Sequence, residues 1–246
     1  MCTVVVLLRP GHAWPLILAA NRDERTDRAW DGPAAHWPER PDVIGGRDRS
    51  GQGTWMACRL GVFAAVLNRP GSLGPAEGKR SRGELPLIAL EARSAAGAAA
   101  TMARVDAGRY RTFNMVLADA QGAWFVRGGG AGLPHVEALG PGISMVTAHD
   151  PNDVASLRVR THLPHFQAAA PPDPAADDWA GWTRLLQDRS GPRGGAINVP
   201  EEGGFGTVST SLAAISAEGV PVWRFAAGPP DRAPFDPIFL PAVTLP

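Results

Sequence analysis

The second residue of the chain is a cysteine, Cys2, which follows Met1. Initiator methionine is normally removed before a small residue, so we expect Cys2 to become the first residue. A thiol and a free α-amine would then share one residue, and an α-amine with a pKa of about 8 can take the thiol proton. Its positive charge would also lower the thiol pKa. The alternative is an inert packed thiol, the role expected for Cys58 inside an apolar run.

A polar run, Asn21-Arg22-Asp23-Glu24, follows an apolar stretch that ends at Ala20. Asp23 could accept a hydrogen bond from an α-ammonium, whereas Arg22 could hold a substrate carboxylate or balance Asp23. Asn21 and Glu24 are candidate supporting residues of the same site. The alternative is a surface cluster of ion pairs.

Asn68 ends a second apolar run, immediately before Arg69-Pro70-Gly71. An amide in this position could donate a hydrogen bond to a developing oxyanion. It could equally serve only to form the turn before the proline. With Cys2 and the polar run, it would complete the groups that acyl transfer requires: a nucleophile, a base and an oxyanion donor.

These three segments resemble the NRDE family, also called the transport and Golgi organisation protein 2 family. Membership implies an α+β, Ntn-hydrolase-like fold: a four-layer αββα sandwich of two antiparallel sheets with outer helices. We expect a single domain over residues 1–246. The resemblance extends to Gly45-Gly46-Arg47-Asp48, Gly53-Thr54-Trp55, the helix start at Arg80–Leu87, Asn114 and Gly206-Thr207.

More distantly, the chain is similar to penicillin V acylases, bile salt hydrolases and acyl-CoA-dependent penicillin acyltransferases, which begin with the same cysteine. Their active-site aspartate corresponds to Asp23, and their oxyanion asparagine corresponds to Asn68. Their second asparagine, after a Leu-Thr or Val-Thr pair, corresponds to Ala148, so His149 is the candidate substitute donor. Arg22 is the candidate for their late arginine.

Apolar runs separated by turn residues predict the elements that hold these side chains. We expect hairpins, then helices, then hairpins, an order typical of antiparallel sheets with outer helices. Asn21–Gly53 is predicted to be an ordered surface loop, and the tail from Gly228 to wrap the surface. The predicted strands are Thr3–Leu8, Pro15–Ala20, Thr54–Arg59, Val62–Leu67, Phe113–Asp119, Ala123–Arg127, Ile143–Thr147, Thr207–Ile215 and Val220–Phe225. The predicted helices are Leu85–Ala92 after a capping box at Ser81–Glu84, Ser94–Val105, Val154–Ala169 and Ala175–Asp188.

The amino-acid composition limits the classes of partner, compartment and cofactor that we expect. The 24 basic and 24 acidic residues balance, which argues against nucleic acid or an anionic membrane surface as partner. Two cysteines provide no disulfide framework and fit a reducing cytosol. No stretch approaches the roughly 20 apolar residues of a membrane helix, so we expect a cytoplasmic protein without integral membrane association. The six histidines lack zinc-ligand spacing, and we expect neither metal nor cofactor.

Two functional hypotheses follow. The first is an N-terminal cysteine amidohydrolase or acyltransferase that acts on a small non-peptide amide or thioester. Cys2 would attack the carbonyl, Asp23 would orient its α-amine, and Asn68 with backbone N–H groups would stabilise the oxyanion. The second, implied by the resemblance, is a non-catalytic protein that binds or transports haem, lipid or acyl groups. Fold resemblance alone does not decide between them.

Overall fold

The strands and helices of the computed structural model, which describes residues 2–241, follow one another as hairpins, helices and hairpins. The strands are β1 (Thr3–Leu8), β2 (Leu16–Arg25), β3 (Trp30–Ala34), β4 (Ile44–Asp48), β5 (Met56–Arg59), β6 (Val62–Asn68), β7 (Phe113–Asp119), β8 (Gly122–Gly128), β9 (His135–Leu139), β10 (Gly142–Val146), β11 (Phe205–Ile215), β12 (Pro221–Ala226) and β13 (Asp236–Pro237). The helices are α1 (Leu85–Ala89), α2 (Ala95–Met102), α3 (Leu157–Ala168) and α4 (Ala180–Leu186), with short 3-10 turns at Arg82–Glu84 and Ala107–Arg109.

Two antiparallel sheets form the centre of the molecule. The first has the strand order β10-β1-β2-β11-β12-β13 and the second the order β3-β4-β5-β6-β7-β8-β9. Side chains alternate along each strand, so Val4 and Val6 of β1 point between the sheets, where they share a core with Phe63 of β6. Val5 and Leu7 point to the opposite face and pack under the helices.

Helices cover the outer face of each sheet. On the first sheet, Phe166 of α3 and Trp182 of α4 join the core that contains Val5 and Leu7. On the second sheet, the alanine-rich α2 packs through residues such as Met102 against β7 and β8. The result is the predicted α+β, four-layer αββα sandwich. The extent of the domain over residues 1–246 stays a prediction, because residue 1 and residues 242–246 lie outside the described part.

The hairpins predicted from the sequence are present, but the surface loop predicted over Asn21–Gly53 is wrong. β2 continues through the polar run to Arg25, and β3 and β4 form an edge of the second sheet. The polar residues continue the strand because β11 pairs with them, placing Thr207 opposite Asp23 and Phe205 opposite Arg25. This pairing joins distant parts of the chain, so local composition does not reveal it.

Two further differences concern local structure. β9 was not predicted, and its mostly exposed residues lack a clear apolar pattern. The predicted capping box is wrong in its second half: Ser81 caps Gly83, but Glu84 bonds to Arg80 and Tyr110. A 3-10 turn, Arg82–Glu84, precedes α1.

Candidate active site

Five of the residues proposed from the sequence meet at one end of the sandwich. They surround a cavity of about 390 Å³. Cys2 lies just before β1, while Arg22, Asp23 and Glu24 come from the end of β2, and Asn68 is the last residue of β6. The 3-10 turn after Ser81 forms another part of the wall. The strand ends thus bring together side chains that are far apart in sequence.

The Cys2 thiol is partly exposed and donates toward the backbone oxygen of Asp23, with Sγ and O 3.6 Å apart. Burial raises the pKa of this thiol, and the negative charge of Asp23 raises it further. With Met1 attached, burial thus outweighs the nearby positive charges, and the lowered pKa expected for a thiol beside its own free α-amine stays a prediction. A nucleophilic attack by Cys2 would therefore require a base to accept the thiol proton.

Asp23 is buried in a network that fixes its carboxylate. Its Oδ2 accepts from Nη1 of Arg158 at 2.9 Å, and its Oδ1 accepts from Oγ1 of Thr207 at 2.7 Å. The same Arg158 nitrogen donates to Oγ1 of Thr3 at 2.8 Å. Arg158, rather than Arg22, is thus the arginine that contacts Asp23.

Arg158 is not among the residues proposed from the sequence, although a signal for it exists. Arg158, His162 and Phe166 are spaced four residues apart, and all three are buried on one face of α3. Helical periodicity alone places Arg158 on the covered face. A buried arginine requires an acidic or strongly polar partner, and Asp23 provides it.

Arg22 occupies a different environment. Its guanidinium carbon lies 4.2 Å from the centroid of the Trp55 ring and 6.0 Å from that of Trp30. Nη2 is 3.7 Å from Oε2 of Glu24, whereas Nη1 is buried without a hydrogen-bond partner among residues 2–241. The described contacts of Arg22 are thus with Glu24 and the two tryptophans, and its two suggested roles, balancing Asp23 and holding a carboxylate, stay predictions.

Gly46 leaves the space in which the Trp55 ring lies. A Cβ at Gly46 would lie 2.2 Å from Cζ2 of Trp55, much closer than real Cβ contacts. Because Arg22 packs over the same ring, a side chain at position 46 would push both residues.

We expect Gly46→Ala to lower the free energy of unfolding by about 1–3 kcal/mol, the usual cost of overpacking. Urea unfolding followed by tryptophan fluorescence measures the change. Gly140→Ala is the matched control, since a Cβ there would meet nothing within 4 Å. Equal stability of the two variants would contradict this account of Gly46.

Asn68 is half-buried and shares the cavity with Cys2. Its backbone is fixed, because β6 pairs with β7 and places Asn68 opposite Phe113. Within residues 2–241, no group hydrogen-bonds to its side-chain amide, which is free to donate into the cavity.

Two other candidates, Asn21 and His149, do not line the main cavity. Asn21 is buried, and its amide donates to the carbonyl oxygens of Leu186 and Ile197 at 3.1 and 2.9 Å, so it ties β2 to the chain around α4. His149 is not among the described residues that line the cavity, and its Nδ1 lies 3.7 Å from Asp153. Its role as a substitute donor stays a prediction.

A second, smaller cavity adjoins Cys2 between the sheets. Its volume is about 20 Å³ and its walls include Val4, Met56 and Leu67. This is room for about one water molecule. A cavity of this volume has no room for an acyl chain much longer than a methyl group.

None of the helices in the described part of the chain has the length and apolar character needed to cross a bilayer. Over the same residues, no group of three or more His, Cys, Asp or Glu side chains is placed to hold a metal ion. The cytoplasmic location and the expected lack of a cofactor stay predictions.

Comparison with known proteins bears on the family and the fold. Residues 1–152 match the model of the Transport and Golgi organisation 2 family. The chain belongs to this family. Among solved structures, this family member is similar to a Caenorhabditis elegans ortholog of N-acylethanolamine-hydrolyzing acid amidase. The two are 12% identical, the match covers 89% of this chain and 94% of the other, and the TM-score is 0.59.

At that identity the likeness establishes the Ntn-hydrolase-like fold alone. A comparison with curated protein sequences finds no significant match. For this member of the Transport and Golgi organisation 2 family, the activity must therefore be argued from its own cavity.

The two cysteines differ in environment. Cys58 of β5 is 2% exposed, and burial raises its pKa to about 12. We expect iodoacetamide to label Cys2 of the folded protein and to leave Cys58 unlabelled, as read by peptide mass. Because the Cys2 pKa is also raised, its labelling rate should keep increasing above neutral pH as the thiolate forms. Equal labelling of both cysteines, or a rate independent of pH, would contradict this prediction.

Proposed function

We propose that this protein is an N-terminal cysteine amidohydrolase or acyltransferase that acts on a small non-peptide amide or thioester. One observation carries the proposal: the Cys2 thiol, adjacent to the fixed Asp23, lines the same cavity as the Asn68 amide, which has no hydrogen-bond partner within residues 2–241. A nucleophile and an oxyanion donor therefore face one volume large enough for a small substrate.

The proposed reaction begins with removal of Met1, a residue outside the described part of the chain, which frees the α-amine of Cys2. This amine takes the proton from Sγ as sulfur bonds to the substrate carbonyl carbon. The carbonyl electron pair moves to oxygen, where the Asn68 amide and backbone N–H groups stabilise the charge. The carbon–nitrogen or carbon–sulfur bond then breaks, and the α-ammonium returns the proton to the leaving group.

The intermediate is an acyl thioester on Cys2. Attack by water releases the acid and restores the thiol, whereas attack by an amine or a thiol transfers the acyl group. Asp23 serves as a positioning residue: Arg158 and Thr207 hold its carboxylate, and its remaining lone pairs can accept from the α-ammonium.

Brief exposure to p-nitrophenyl acetate, followed by an acid quench and intact-mass analysis, tests this proposal. Its acetyl group suits the small cavity behind Cys2. We expect one acetyl group, located at Cys2 by peptide mapping, in the fraction that lacks Met1, and continued release of nitrophenolate beyond one equivalent. Cys2→Ala, verified as folded by its melting temperature, should stay unmodified.

A Met1-free protein that takes no acetyl group would overturn the proposal. So would equal acetylation of the Cys2→Ala variant. If the wild-type protein instead binds haem or a lipid tightly and is never acylated, the carrier hypothesis replaces the catalytic one.

A further inference from the structure

The cavity wall carries an excess of positive charge, although the whole chain is neutral. Three acidic residues line the cavity: Asp23, Glu24 and Asp48. Six basic residues line it: Arg22, Arg28, Lys79, Arg80, Arg82 and Arg111.

Each acidic residue of the wall already has a cationic neighbour. Asp48 accepts from Arg28 at 2.5 Å, and Glu24 lies 3.7 Å from Arg22 and 3.8 Å from Arg28. Asp23 forms an ion pair with Arg158. One of the basic residues, Arg80, pairs with Glu84, which lies outside the wall.

Arg82, Arg111 and Lys79 remain without an ion pair to any carboxylate in the described part of the chain. The two arginines are nevertheless held in place by neutral acceptors. Nη1 of Arg82 donates to the carbonyl oxygen and the hydroxyl of Ser72 at 2.6 and 2.8 Å. Arg111 donates to the carbonyl oxygens of Gly71 and Leu73 at 2.5 and 2.7 Å. These bonds fix both side chains on one loop.

The two guanidinium groups are close enough to repel one another. Burial lowers the pKa of Arg82 to about 10, and the charge of Arg111 contributes to the lowering. Holding two like charges together without a counterion is costly, and an incoming anion removes that cost.

Arg22 supplies an independent observation in the same cavity. Its side chain is more than nine-tenths buried, and Nη1 has no hydrogen-bond partner among the described residues. A buried charged donor without a partner is costly, and a ligand oxygen in the cavity would satisfy it.

We infer that Arg82 and Arg111, with Arg22 deeper in the cavity, form a subsite for the anionic group of the substrate, a carboxylate or a phosphate. The inference rests on the proposed function in one respect, namely that the anion belongs to the molecule that acylates Cys2. Arginine is suited to this task because its planar fork matches both oxyanions.

Alkylation of Cys2 by two reagents of similar size tests the subsite without requiring turnover. Iodoacetate carries a carboxylate, whereas iodoacetamide is neutral. We expect the ratio of their rate constants at Cys2 to exceed the same ratio for free cysteine by about tenfold, the lower end of what a focused positive field achieves. The excess should shrink as salt increases.

Three double variants separate charge from loop structure. Arg82→Gln with Arg111→Gln removes two of the three proposed subsite charges and should remove most of the excess. Arg82→Lys with Arg111→Lys keeps the charges and should retain most of the excess. Arg93→Gln with Arg104→Gln removes two charges that lie away from the cavity wall and should leave the ratio unchanged. Melting temperatures of all variants establish that they are folded.

A wild-type ratio equal to that of free cysteine would overturn the inference, as would a glutamine variant that is folded and keeps the full excess. Inorganic phosphate and acetate are then tested as competitors of iodoacetate. Stronger protection by phosphate assigns a phosphoryl group, stronger protection by acetate assigns a carboxylate, and no protection by either overturns the subsite. Selective alkylation without acetylation by p-nitrophenyl acetate would leave the subsite standing and reject only the proposed catalysis.

Discussion

Replacing Arg158 with methionine is expected to lower the free energy of unfolding by about 3–5 kcal/mol. The arginine and aspartate side chains of this pair are 1% and 0% exposed. Removal of Arg158 takes away the buried guanidinium that pairs with the Asp23 carboxylate in a low-dielectric interior, a far greater loss than that of a surface ion pair. Urea unfolding at neutral pH, with an unchanged denaturant slope, measures the loss.

Arg184→Met is the matched control, because Arg184 lies exposed on the neighbouring helix α4 and forms no ion pair within the described residues. Its stability should change by no more than about 0.5 kcal/mol. The double variant Asp23→Leu with Arg158→Met should recover much of the loss, since a buried pair is often replaced by apolar residues with little effect. A loss below about 1 kcal/mol for Arg158→Met would show that this ion pair contributes no more to stability than a surface ion pair does.

The strand that carries Asp23 illustrates how much of the fold can be predicted from the sequence. Hairpins such as β1–β2 are local, and apolar runs around a turn are enough to indicate them. The pairing of β2 with β11 joins residues such as Asp23 and Thr207, which no short-range pattern connects. The polar run therefore had the composition of a loop, although it completes a central strand.

In the candidate site, too, features that depend on local sequence could be predicted and those that depend on long-range contacts could not. Cys2 and Asn68 could be proposed from the sequence because each flanks an apolar strand and has side-chain chemistry suited to acyl transfer. Arg158 was missed because its acidic partner is 135 residues away. The cationic wall was missed for a related reason: Arg82 and Arg111 become neighbours only through the loop that both side chains hold, and a neutral total charge conceals a local excess.

Ala148 stands where the similar hydrolases have a second active-site asparagine, and the structure shows what surrounds this position. The resemblance places a second active-site asparagine there, but Ala148 is 1% exposed. Asn114 of β7 instead donates to the carbonyl oxygens of Thr147 and His149 at 2.9 and 2.7 Å. It also accepts from Arg69 at 2.7 Å. Asn114 thus fixes the chain after β10, and Asn68 is the only asparagine among the described residues that line the main cavity.

For this reason Asn68→Ala is expected to lower kcat by about 10²–10³, equivalent to roughly 3–4 kcal/mol, with little change in KM. An oxyanion donor acts on charge that exists only in the transition state, so ground-state binding is spared. Hydrolysis of p-nitrophenyl acetate measures both constants, and the melting temperature is recorded on the same preparation. Aspartate is a poor replacement because its negative charge would repel the oxyanion.

Ser50→Ala provides the control within the same cavity, since Ser50 lines it and its only hydrogen bond among the described residues is through the backbone, to Asp48. Its kcat should stay within about twofold of the unmodified protein, well below the change expected for an oxyanion donor. If Asn68 only forms the turn before Pro70, Asn68→Ala should instead cost about 1 kcal/mol of stability and leave kcat unchanged. That outcome would assign oxyanion stabilisation to backbone N–H groups alone. A large loss of kcat at constant stability would place the Asn68 amide on the reacting oxygen.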